Sequence, residues 1–129
     1  DETIDNLLRR FELLDKQDKL GDELSKGMMQ KVSICCAVIV DPQVLILDEP
    51  MVGLDPSAIK ELKSLIKELK SQGKTILIST HMMEMVDSLW DRVILMKSGR
   101  IVQNLSKEEA GSSDLEELFF QLTTGENHE

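Results

Sequence analysis

Val44-Leu45-Ile46-Leu47-Asp48-Glu49-Pro50 is a run of four aliphatic residues closed by two acids and a proline. Such a run, too short for a helix and ended by polar and breaker residues, predicts a central parallel strand with acids at its C-terminal edge. Open α/β sheets bind their ligands at that edge. Side chains alternate along a strand, so Asp48 and Glu49 point in different directions. They suit different tasks, one near a hydrated Mg2+ and the other near an attacking water. A helix cap and a solvated turn acid would be the plainer use of the same pair.

Downstream, Gly53-Leu54-Asp55-Pro56 reads as a turn with Asp55 as N-cap and Pro56 as first helical residue. Ile59, Leu62, Leu65, Ile66 and Leu69 form a helical stripe that Gly73 terminates. Lys60, Glu61, Lys63, Lys67, Glu68 and Lys70 read as its solvated face, needing no partner. Thr75 to Ser79 is a second β-rich run, so residues 44–79 predict one right-handed βαβ unit. A short helix over about 82–89 follows, with Trp90 at its corner and Met82, Met83 and Met85 as packing residues. Residues 92–96 and 100–103 pair as a hairpin through Lys97-Ser98-Gly99. Two capping boxes close the chain, Ser106 with Glu109 and Ser113 with Glu116, the second opening a helix with Leu115, Leu118, Phe119 and Leu122 on one face.

Upstream, Ile4, Leu7, Leu8, Phe11 and Leu14 fall at helical spacing after Thr3. After a loop over 15–24, the segment from about Met28 to Val40 is apolar nearly all round, which predicts a helix buried on most sides and stopped by Asp41-Pro42. Cys35 and Cys36 inside it read as two buried, reduced thiols of a cytosolic protein, since neighbours rarely bridge. At its start stands Leu24-Ser25-Lys26-Gly27-Met28-Met29-Gln30-Lys31. A hydroxyl residue and a glycine at a helix N-terminus form an anion site, because free N–H groups and the helix dipole converge there. Ser25 as a simple helix cap is the alternative.

The 129 residues amount to one domain or part of one. Fifteen basic against twenty-four acidic residues give −9, which repels phosphate backbones and argues against nucleic acid as a partner. Residues 107–129 carry −6 of this, one Lys against seven acids, as a solvated tail does. The longest nearly unbroken apolar run, Val32 to Val40, is about half the length needed to cross a bilayer. His81 and His128 stand far apart, so no zinc-ligand spacing exists. Asp1-Glu2-Thr3 has none of the marks of a targeting signal and reads as the start of a fragment or processed chain.

Four elements occur in a fixed order: LSKGM (24–28), LILDEP (45–50), GLDP (53–56) and STH (79–81). In that order they resemble the signature motif, Walker B strand, D-loop and switch histidine of the ATP-binding cassette (ABC) transporter nucleotide-binding domain. The resemblance covers residues 24–81, and the surrounding helices fit through about residue 103. It implies an α/β fold, a partial P-loop NTPase (RecA-like) core with parallel strands plus part of the ABC α-helical subdomain. It also implies ATP and Mg2+ as cofactors. Asp48 would hold Mg2+ through water, Glu49 would be the general base, and His81 would contact the γ-phosphate. Ser25 and Gly27 would meet the γ-phosphate of a partner's ATP, and Asp55 would couple the two sites. A second nucleotide-binding domain and a transmembrane permease are the implied partners, on the cytoplasmic face of the cell membrane. Lys26 and Met28 depart from the family's usual glycine and glutamine.

No G-x-x-x-x-G-K-[ST] occurs in the sequence, so the Walker A loop that cradles the α- and β-phosphates is missing from it. The expected organisation is therefore residues 1–41 as part of the helical signature subdomain, 42–104 as the C-terminal half of the ATPase core and 105–129 as a helical tail. The function expected is that of a fragment of an ABC transporter's ATP-hydrolysing subunit, inactive by itself. Its rivals are a catalytically silent half-domain that lends its signature to a complete partner, and a non-transport ABC ATPase.

Overall fold

The computed structural model describes residues 1–19 and 21–124. The last part of the acidic tail, with His128, lies outside the described residues. The chain divides into two compact units, residues 1–81 and 82–129.

The first unit opens with α1 (Glu2–Arg10), capped by Asp1, whose carboxylate accepts the Thr3 N–H at 2.8 Å. Two short 3-10 turns, Leu14–Lys16 and Gly21–Glu23, lie between α1 and α2 (Lys26–Ile39). Then come β1 (Val44–Asp48), α3 (Pro56–Ser71) and β2 (Thr75–Ser79). β1 and β2 pair in parallel, in the register Val44↔Thr75 to Asp48↔Ser79, and α3 packs against β2, so the βαβ unit forms as expected. Its core gathers Leu45 and Leu47 of β1 with Ala58, Leu62, Leu65, Ile66 and Leu69 of α3. Phe11 and Met51 are also fully buried. On the opposite sheet face, Val44, Ile46 and Leu77 are exposed. β1 thus alternates instead of being buried on both sides, because among the described residues no layer covers the face of Val44, Ile46 and Leu77.

Three further expectations about the first unit need correction. Helix α2 begins at Lys26 and buries only Ile34 and Cys35, with Met29 exposed, so it is not enclosed on most sides. Cys35 is buried, its thiol pushed up to about 11 chiefly by desolvation, whereas Cys36 is exposed one residue further round the helix. The polar face of α3 does have a partner. Arg10 reaches from α1 to Glu61 at 3.2 Å and to Glu68, tying together helices more than fifty residues apart in sequence.

The second unit holds α4 (Met83–Val86), the antiparallel hairpin β3 (Arg92–Lys97) and β4 (Arg100–Ser106), then α5 (Lys107–Ala110) and α6 (Leu115–Thr124). The hairpin turns at Ser98 and Gly99, both in the left-handed region. Ser106 and Glu109 form the expected capping box. Ser113 does not cap α6: the Asp114 carboxylate accepts the Glu117 N–H at 2.7 Å, and Asp87 accepts that of Leu115 at 3.0 Å. Asp competes well with Ser for an N-cap, and here it stands one residue nearer the helix. The Lys107 ammonium lies 5.1 Å over the Trp90 ring.

Candidate functional site

The strand ends at Asp48, and Glu49 breaks out of it with φ 46°, a left-handed conformation that costs a non-glycine residue about 1–2 kcal/mol. Hydrogen bonds on every side hold it there. The Glu49 N–H donates to the Ser79 carbonyl at 2.8 Å, extending the ladder by one step, and its carbonyl accepts the Val52 N–H at 3.3 Å. The Gln30 amide nitrogen, from α2, donates to the carbonyls of Glu49 at 3.3 Å and Pro50 at 3.0 Å. Pro50 itself is almost wholly buried, so its carbonyl depends on a protein partner.

The turn carries the Glu49 carboxylate to the end of β2. Thr80 Oγ1 donates to its Oε2 at 3.1 Å, and the His81 backbone N–H donates to its Oε1 at 3.0 Å. His81 Nδ1 also meets Oε1. An ionised carboxylate only accepts, so Nδ1 carries the proton of that bond. The His81 bond first, and the Thr80 and His81 N–H bonds after it, hold the Glu49 carboxyl below the usual carboxylate range, against an opposing desolvation. Glu49 remains 29% exposed and the His81 side chain 98% exposed, so the outer side of the pair is open.

Asp48 takes the other direction. It shares the open sheet face with Ser79, its register partner, and accepts that residue's hydroxyl. The predicted divergence of the two acids is thus present, with the left-handed turn at Glu49 sharpening it. Among the described residues no group of three or more His, Cys, Asp and Glu side chains could hold a metal ion. The Asp48 carboxylate is exposed, with the Ser79 hydroxyl as its hydrogen-bond partner.

Ser25 is the N-cap of α2, its Oγ accepting the Met28 N–H at 3.2 Å. A hydroxyl that accepts still has a proton to donate, so capping and anion contact are compatible. Gly27 lies on the first turn, where a Cβ would come 2.6 Å from the Gly53 carbonyl oxygen. Its lack of a side chain therefore lets α2 lie against the loop that follows the acids. Lys26 has no positive φ and sits in the helix like any L-residue. Asp55 caps α3 by accepting the Ala58 N–H at 2.8 Å.

The tertiary structure thus joins Glu49 to Thr80 and His81, sets Asp48 beside Ser79 at the same strand ends, and brings Gly27 to Gly53. Sequence reasoning missed Gln30 and Thr80. A glutamine on a largely apolar helix was the available signal, since its amide needs a partner wherever it is covered.

A family model described as ABC transporter matches residues 1–52. The lantibiotic transport ATP-binding protein SrtF of Streptococcus pyogenes is 41% identical over 117 residues, which span 91% of this chain and 50% of that protein. The Nod factor export ATP-binding protein I of Sinorhizobium fredii is 44% identical over 100 residues, 78% of this chain and 29% of that protein. A solved ATP-binding subunit of an ABC transporter superposes with a TM-score of 0.87 at 34% identity, over 95% of this chain and 53% of that one. The chain spans half the length of the first relative and less of the second. In sequence and fold this chain is therefore similar to part of the ATP-binding subunit of an ABC transporter, a nucleotide-binding domain with the P-loop NTPase fold.

Proposed function

We propose that the chain is the later part of the ATP-binding subunit of an ABC transporter, in which ATP binding closes a dimer and hydrolysis reopens it to drive transport. The observation that carries this reading is the Glu49 carboxylate, held at a strand end by Thr80 and by the backbone N–H and ring Nδ1 of His81. Phosphoryl transfer to water needs an oriented acceptor for the water's proton, and charge neutralisation around the phosphate.

In this reading Glu49 orients and deprotonates the attacking water, and His81, bonded to it through Nδ1, turns its other ring nitrogen toward the γ-phosphate. Asp48 fits a hydrated Mg2+, because it is exposed and needs to supply only one oxygen. That ion would neutralise phosphate charge when bound. Ser25 and Gly27 at the N-terminus of α2 serve the nucleotide of a second nucleotide-binding domain, and Asp55 belongs to the stretch between the two sites. Residues 1–41 would form part of the helical subdomain, 42–104 the later half of the ATPase core and 105–129 a helical tail. The complete subunit would sit on the cytoplasmic face of the membrane, bound to a permease, with no nucleic acid partner. No described helix is long and apolar enough to cross a membrane.

The test is Glu49→Gln in the complete subunit. ATP binding and the closed dimer should persist while hydrolysis slows by a factor on the order of a hundred or more. Near-normal turnover would remove Glu49 from this role.

A further inference from the structure

Gln30 lies on α2, yet its side chain is spent on the loop after β1, where one amide group meets two backbone carbonyls. An NH2 has two protons, so each carbonyl takes one. These two carbonyls flank Pro50, and the first belongs to the peptide between Glu49 and Pro50. Pro50 has no N–H, so that peptide offers the surroundings only its oxygen. Glu49 is left-handed, and a small rotation about its backbone would swing the carboxylate away from Thr80 and His81. The Gly27 backbone, three residues before Gln30, lies close against the Gly53 carbonyl at the far end of the same loop. Helix α2 therefore grips residues 49–53 at both ends.

We infer that Gln30 is a positioning residue for hydrolysis: its amide fixes the Glu49–Pro50 backbone so that the Glu49 carboxylate stays aimed at the attacking water. This rests on the proposed role of Glu49. It makes the start of α2, where Ser25 and Gly27 stand, mechanically continuous with the base at this chain's own site. A partner that merely filled the packing needs of Pro50 would influence folding and not the base.

The experiment separates these cases in the complete subunit. Gln30→Met keeps the length and volume of the side chain and removes both donors, and Gln30→Ala guards against a rotamer peculiar to methionine. The expected result for both is a fall in kcat of about 10-fold with KM for Mg-ATP within about 2-fold, since misaim of a catalytic group costs rate rather than binding. In a Glu49→Gln background the same changes should reduce residual turnover by less than 2-fold, because no base is left to misaim. Unchanged kcat in both variants would overturn the inference. So would equal losses in the native and Glu49→Gln backgrounds, or a loss explained by a lower folded fraction in thermal melts. If Glu49→Gln itself keeps near-normal turnover, the role of Glu49 fails first, and the positioning role falls with it.

Discussion

Glu49 Oε1 accepts the backbone N–H of His81 at 3.0 Å and also meets Nδ1 of the same residue, so one carboxylate oxygen fixes both the backbone and the ring of His81. The parallel register makes this possible. Asp48 stands opposite Ser79, and the next residue on each strand is therefore brought to the same edge.

His81→Ala removes the foremost cause of the lowered Glu49 carboxyl. A carbon-detected NMR titration of that carboxyl should shift upward in the variant, toward the ordinary glutamate range. The sign for stability follows from the lowered value. The contribution of Glu49 is present above the unfolded carboxylate range and is lost as pH falls through the folded value, and in the variant that acid-side loss shrinks. An unmoved titration would show that Thr80 and the backbone suffice.

Gly27→Ala sets two effects against each other. Alanine gains about 1 kcal/mol of helix propensity over glycine. Its Cβ, however, would stand 2.6 Å from the Gly53 carbonyl oxygen, and a backbone atom cannot rotate away as a side chain does. Overpacking of this kind costs roughly 1–3 kcal/mol, so the variant should be less stable than the native chain in urea melts. Greater stability would mean that α2 slides away from residue 53 without penalty.

Arg10→Ala removes the pairs to Glu61 and Glu68 that join α1 to α3. All three side chains are partly exposed, so the loss should be about 1 kcal/mol and should shrink in high salt. Melting at low and high ionic strength measures both. A salt-independent loss would assign the effect to the packing of the arginine stem instead.

The 129-residue chain alone should bind Mg-ATP with a Kd in the millimolar range or weaker, about −4 kcal/mol or less, and should not hydrolyse it. Asp48, Glu49 and His81 act only on a triphosphate held beside them, and no Walker A sequence is present to hold it. A net charge of −9 adds no attraction for a polyanion. Calorimetry and phosphate release test this, and micromolar affinity or steady turnover would refute it.

The order of the motifs, the βαβ unit and the caps at Ser25, Asp55 and Ser106 were legible in the residues themselves. These features depend on local spacing: four aliphatics before two acids, a stripe at helical intervals, a capping residue before each helix. What tertiary structure alone decided were the relations between distant segments. That Glu49 would turn left-handed could not be read from a residue type that usually avoids that region, because the stabilising bonds come from Ser79, Thr80, His81 and Gln30. Arg10 looked like one more surface charge, and α3 like a solvated face, until folding set them against each other. The apolar pattern of α2 overstated its burial for the complementary reason. A pattern records what a helix is able to bury, whereas the neighbours present determine how much of it is covered, and here they cover Ile34 and Cys35 and leave Met29 and Cys36 exposed.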